Sequence, residues 1–206
     1  KAKTWHHSEW CHVYLHSSIM NLAPESLYHL YNRGNNKQVI FPQERNYSYF
    51  LTKAHHEFKA EIDFLAYCMM PNHFHFLIFT KPEYNSAKFT NALRTLLSSY
   101  TRAINKQQNT TGSLFQQNTR SIEISSDTYS STCFHYIHQN PLRAGLFQKI
   151  EDWPHHSFSQ YWKNPEGICN VHLGHSLINI SNDSNQFYKD SYRVIPEEYL
   201  LKISLF

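Results

Sequence analysis

The sequence has no Cys-x-x-Cys pair: its four cysteines, Cys11, Cys68, Cys133 and Cys169, follow no regular spacing. That excludes a zinc ribbon or a disulfide framework and fits the reduced thiols of a cytoplasmic protein. It also has no apolar run near the roughly 20 residues needed to cross a bilayer, so no membrane association is expected. The first residues are rich in histidine and tryptophan rather than apolar, which argues against a secretion signal. Charge is sparse as well. Only 17% of residues are charged and the net charge is +3, too mild a balance to identify a nucleic-acid binder by itself.

What is present is a chain of 206 residues with 41% hydrophobic content, enough for one real core with appendages. The charge is unevenly spread. Between residues 86 and 150 lie Lys88, Arg94, Arg102, Lys106, Arg120, Arg143 and Lys149 against only Glu123 and Asp127, whereas residues 166–206 are net acidic. Such a basic segment can hold phosphates, and aromatic content of 16% permits base stacking, although solvated helix faces and core rings are the bland alternatives.

Fifteen histidines is a high number. Two of them, His73 and His75, flank Phe74 in YCMMPNHFHFLIFT, a run with strand character. Strand side chains alternate, so both imidazoles face one side while Phe74 faces the other. They start about 7 Å apart along the backbone, close enough to grip one metal ion. Pro71-Asn72 supplies a turn ahead of them. The competing reading is a pair of satisfied core histidines.

Further along, FHYIHQNPLRAGL follows helical spacing. Ser125, Ser126 and Asp127 offer N-cap side chains, and Tyr129, Cys133, Tyr136, Ile137 and Asn140 fall on one stripe. Pro141 disfavours helical geometry at Asn140, which predicts that the helix ends there. Tyr136 and Asn140, four residues apart, sit one above the other. A phenol is a weak nucleophile at its ordinary pKa near 10 and gains force where a metal stabilises the developing charge. Alternatively, Tyr136 is a core aromatic and Asn140 a C-terminal cap.

The periodicities predict strands over residues 26–33, 61–70, 73–80 and about 120–124. They predict helices over residues 43–60 and 86–106, and a third helix ending at Asn140. The order β-α-β-β-α-β is that of a split βαβ, ferredoxin-like α+β sandwich. An antiparallel sheet with its helices on one face is expected, with His73 and His75 on a middle strand. Residues 1–26 read as an N-terminal extension, with Met20 as an internal start and residues 1–19 outside the fold. Residues 27–162 read as the catalytic domain, and residues 163–206 as a tail of loop with some late helix.

Six ordered blocks carry a family resemblance: YHLYNRGNNKQVIF (28–41), AYCMMPNHFHFLI (66–78), LRTLLSSYTRAIN (93–105), GSLFQ (112–116), YIHQNPLRAGL (136–146) and DWPHHSFSQY (152–161). In this order the chain resembles the REP-associated tyrosine transposases, which belong to the insertion-sequence-200-like, single-tyrosine HUH nucleases. The resemblance implies His73, His75 and Asn140 as ligands of a divalent ion, Mg2+ or Mn2+. It implies Tyr136 as the nucleophile that attacks single-stranded, hairpin-associated DNA, with Tyr100 as a rival. Arg94, Arg102, Lys106, Arg120 and Arg143 are the candidate DNA contacts. One tyrosine per site means that two strand cleavages need either sequential turnover or a second protomer, the latter as in a homodimer. The chain departs from the family at Gln117 and Asn118, where relatives carry glycine and a basic residue. Two other classes stay open: a domesticated nucleic-acid-binding module without catalysis, and a hydrolase using the histidine pair to activate water, with Glu61, Asp63, His135 and His138 as further candidate groups.

Overall fold

A computed structural model describes residues 20–203 of the protein, apart from the side chains of Asp127 and of residues 201–203. The extension expected over residues 1–19 lies outside the described residues, while Leu22 is buried in the core.

Four strands form one antiparallel sheet: β1 (Leu27–Arg33), β2 (Ile62–Met70), β3 (His73–Thr80) and β4 (Arg120–Glu123), in spatial order β2-β3-β1-β4. Between them run α1 (Glu44–Phe58) and α2 (Ser86–Gln108). This is the ferredoxin-like α+β sandwich, with β3 in the middle of the sheet. The alternation of β3 decides which face holds what. Phe74 and Phe76 turn toward α1, with their rings 5.2 and 6.4 Å from that of Phe50. Phe50 and Tyr100, from α1 and α2, meet edge to face at 4.8 Å. All of these rings are buried, each burial stabilising the fold by roughly 2–3 kcal/mol. The Pro71-Asn72 turn is fastened from outside: the Gly34 amide donates to the Asn72 carbonyl at 2.8 Å, and the Ile40 amide donates to the Pro71 carbonyl at 2.8 Å.

The third helix, α3 (Asp127–Arg143), corrects two expectations. It packs on β2 and β3 from the face opposite α1 and α2, so the helices cover both faces of the sheet. It also continues past Asn140 to Arg143 with Pro141 inside it. Proline leaves the Ile137 carbonyl without its usual N–H donor. The Asn140 side chain lies over that gap, its Nδ2 donating to the Tyr136 carbonyl at 2.9 Å and lying 3.5 Å from the Ile137 carbonyl. The preference against helix before proline is thereby overridden for the last turn.

The outer edge of β2 is closed by the segment around His155. The Met69 amide donates to the His155 carbonyl at 2.9 Å, and the Ser157 amide donates to the Tyr67 carbonyl at 3.0 Å. Edge pairing of this kind removes a template for aggregation. His138 ties α3 to it, with Nε2 2.8 Å from Ser157 Oγ.

Beyond it lie α4 (Phe158–Trp162), α5 (Val171–Leu177), α6 (Ser184–Ser191) and α7 (Glu197–Ile203), where mostly loop was expected. Within the expected loop, Asp183 caps α6 by accepting from the Gln186 amide at 2.7 Å. Phe187 carries α6 into the core beside Phe158 and Phe134, and the Gln139 amide clamps α6 to α3 through the Ser191 carbonyl at 2.8 Å. Among the described residues no helix is long and apolar enough to cross a membrane.

Candidate active site

The face of the sheet beneath α3 is polar where the opposite face is aromatic. Antiparallel register sets Tyr31 opposite His75 and Arg33 opposite His73, so these four side chains share one face. The rings of His73 and His75 lie 5.0 Å apart. Above them α3 brings Tyr136, whose ring lies 5.7 Å from that of His75. One turn later the Asn140 amide lies close enough to the His73 and Tyr136 side chains to influence the titration of both. The structure thus brings together His73, His75, Tyr136 and Asn140 from two distant blocks of sequence.

Hydrogen bonds orient the imidazoles. Asn72 donates through Nδ2 to the Lys37 carbonyl at 3.2 Å, which leaves its Oδ1 as the acceptor 2.7 Å from His73 Nδ1. His73 therefore carries its proton on Nδ1, and Nε2 presents a lone pair. His75 has a similar arrangement with a different partner: its Nδ1 lies 2.8 Å from His29 Nε2. His29 comes from β1, is fully buried, and stacks on His75 with centroids 5.0 Å apart.

Burial shifts the titration of the whole cluster. It lowers His29 to about 3 and His73 to about 4, and holds His75 well below its ordinary value, helped there by the neighbouring His29 and His73. All three are neutral at physiological pH. The same burial raises Tyr136 to about 12, aided by Cys133 and opposed by Arg143 and by the nearby Asn140 amide. The phenol is thus protonated at rest.

Among the described residues no cluster of three or more His, Cys, Asp or Glu side chains is placed to hold a metal ion. The donor set fits one through different chemistry: two neutral imidazoles and an amide oxygen. Asn140 Nδ2 is turned back onto its own helix, so the remaining polar atom of that amide is the oxygen, a donor type that divalent ions accept. Glu61, a carboxylate considered for water activation, lies at the far end of β2 and accepts from the Asn85 amide at 2.7 Å. His138 is fully buried against Ser157, and His135 packs beside Phe134 and Phe187.

The candidate DNA contacts separate into two groups. Arg120 pairs with Tyr31 across the β1–β4 register, and Arg143 lies near enough to Tyr136 to lower its pKa, so both border the site. Arg94, Arg102 and Lys106 are exposed on α2, which packs on the other face of the sheet. Tyr100 is there too, fully buried and donating to the Ile40 carbonyl at 2.7 Å, a core role. Sequence reasoning missed His29, Arg33 and Asn72. The signal for the first two was the alternation His29, Tyr31, Arg33 on one face of a strand.

A single tyrosine over a histidine pair, on a ferredoxin-like sheet with a helical amide ligand candidate, defines the class of the HUH type. Comparison with known proteins agrees. The family model described as "Transposase IS200 like" matches residues 23–140, more than half of the chain. The protein belongs to the IS200-like transposase family, and it is a transposase-like, DNA-processing protein. Among solved structures it is similar to a REP-associated tyrosine transposase bound to a REP hairpin, at 17% identity and a TM-score of 0.56, covering 84% of this chain and 95% of that one. It also matches a candidate transposase from Deinococcus radiodurans at 18% identity and a TM-score of 0.41, over 64% of this chain and 92% of that one. At these identities the first likeness attests the fold and the second carries no weight. No protein of curated function matches the sequence.

Proposed function

We propose that the protein is a divalent-metal-dependent, single-stranded DNA endonuclease and strand transferase that works through a covalent phosphotyrosine. The observation that carries this reading is the convergence of Tyr136 and Asn140 from α3 on His73 and His75 from β3.

Tyr136 Oη attacks the scissile phosphorus in line. The new bond joins tyrosine oxygen to phosphorus, the bond from phosphorus to the 3′ oxygen breaks, and the phenol proton leaves to solvent while the 3′ oxygen takes one up. The products are a 5′-phosphotyrosine and a free 3′-OH. The linkage conserves bond energy, so a second 3′-OH can reverse the step and rejoin DNA. His73, His75 and Asn140 would hold the ion, Mg2+ or Mn2+. When bound, it neutralises the charge that builds on the phosphate oxygens. Arg143 favours the phenolate, and Arg33 and Arg120 border the same face, placed for neighbouring phosphates. The substrate is single-stranded DNA beside a hairpin, a reading supported by family membership and by the hairpin bound to the solved relative.

A denaturing gel tests this. The protein is incubated with labelled hairpin oligonucleotides from the flanks of its own gene, with Mn2+ or Mg2+ or with chelator. A protein–DNA adduct is expected for wild type with metal and for neither Tyr136→Phe nor His75→Ala. Binding without an adduct across several hairpins would point instead to a domesticated binding module. Cleavage that survives Tyr136→Phe would point to a hydrolase.

A further inference from the structure

We infer that His29 is the positioning residue of the site: it accepts the Nδ1 proton of His75 and so holds the Nε2 lone pair of His75 on the side of Tyr136 and Asn140. The inference rests on the metal-holding role proposed above for His75.

A neutral imidazole carries one proton, on either nitrogen, and only the bare nitrogen can bind a metal. The contact between His29 Nε2 and His75 Nδ1, at 2.8 Å, contains one proton shared between two nitrogens. If His29 donates, His75 must carry its own proton on Nε2, and that nitrogen is blocked. If His29 accepts, His75 Nε2 is available. His73 shows which arrangement the site is built for. Its Nδ1 faces an oxygen of Asn72 that can only accept, so its proton is fixed on Nδ1. Each imidazole must offer the ion a bare nitrogen, and His29 occupies beside Nδ1 of His75 the place that Asn72 occupies beside Nδ1 of His73. In this arrangement the second nitrogen of His29, Nδ1, bears the proton. It is buried, has no hydrogen-bond partner among the described residues, and lies among aromatic neighbours: the Tyr31 ring is 4.9 Å away and the Tyr136 ring 6.3 Å away, edge to face. His29 is thereby unable to pass its proton on to another protein group, which suits a fixed tautomer rather than a proton relay. Outer partners of this kind typically change metal affinity ten- to a hundredfold when removed.

The test uses the full chain. Imidazole 15N spectra of the metal-free wild type report the tautomer of His75, and electron paramagnetic resonance of free Mn2+ reports affinity for wild type, His29→Phe and His29→Gln. Amide spectra check the fold of each. The expected result is His75 protonated on Nδ1, Mn2+ affinity about ten- to a hundredfold weaker in His29→Phe, and recovery to within about threefold in His29→Gln, whose amide oxygen can accept in place of Nε2. His75 protonated on Nε2 in wild type overturns the inference, even if His29→Phe does not fold. So does Mn2+ affinity unchanged in His29→Phe, an outcome that leaves the metal-holding role of His75 standing. A wild type that binds no Mn2+ overturns both.

Discussion

Acidification should unfold the metal-free protein well above the pH at which carboxylates titrate. His29, His75 and His138 are fully buried, and burial lowers the pKa of each far below the ordinary 6.5. A group with a depressed folded-state pKa keeps its neutral form in the fold, while the unfolded chain takes up a proton near pH 6.5. Histidine differs from a carboxylate in that the favoured form is uncharged. Stability is therefore complete above about pH 6.5 and is lost as pH falls from there toward the folded-state values. At pH 5 the unfolded chain gains about 2 kcal/mol per such histidine, so the three together remove about 6 kcal/mol. His73 and His135, each lowered to about 4 chiefly by burial, act in the same direction. A domain of this size has only about 5–15 kcal/mol to lose. Urea unfolding in chelator at pH 7.5, 6.5, 5.5 and 5.0 measures the effect. A loss below about 2 kcal/mol between pH 7.5 and 5 would mean that these imidazoles are hydrated or protonated in the native state, and would refute the dry site.

Other expectations follow from the two faces of the sheet. Tyr100→Phe should leave adduct formation intact and cost about 1–2 kcal/mol in urea unfolding, because it removes the bond to the buried Ile40 carbonyl. Saturating Mn2+ should raise the melting temperature of wild type and not of His75→Ala, by thermal shift, since an ion bound only to the native state stabilises it. Arg120→Gln and Arg143→Gln should each weaken hairpin binding and reduce its salt dependence by about one phosphate contact, whereas Arg94→Gln and Arg102→Gln on α2 should leave the adduct rate within about twofold.

The parts of the site legible in the sequence were those set by local period. Two-residue alternation paired His73 with His75, and four-residue spacing paired Tyr136 with Asn140. Strand and helix order gave the sheet. What stayed hidden depended on partners far along the chain. His29 contacts His75 only because β1 pairs with β3 in one register out of several, and no spacing within β1 reveals that register. The basic segment was read as one patch, yet α2 and α3 lie on opposite faces, so a count of charges along the chain merged residues that the sheet separates. Pro141 misled for a different reason: the carbonyl it leaves without a donor lies beside the side chain of the preceding Asn140, a compensation that propensity does not weigh.

Burial acts in opposite directions on the two halves of this site, and that opposition suggests how they work together. It makes the histidines better ligands, since neutral imidazoles need release no proton before they bind an ion. It makes Tyr136 a worse nucleophile, since a phenol near 12 is ionised in only about one molecule in ten thousand at pH 8. The groups that counter this penalty, Arg143 and Asn140, come from the helix that carries the tyrosine itself, and Asn140 also contacts His73. Under the proposed function, activation of the phenol is therefore tied to the same side chain that would complete the donor set. A tyrosine held inactive until cation and phosphate are both in place would not attack at random, which is what the proposed covalent linkage to DNA requires.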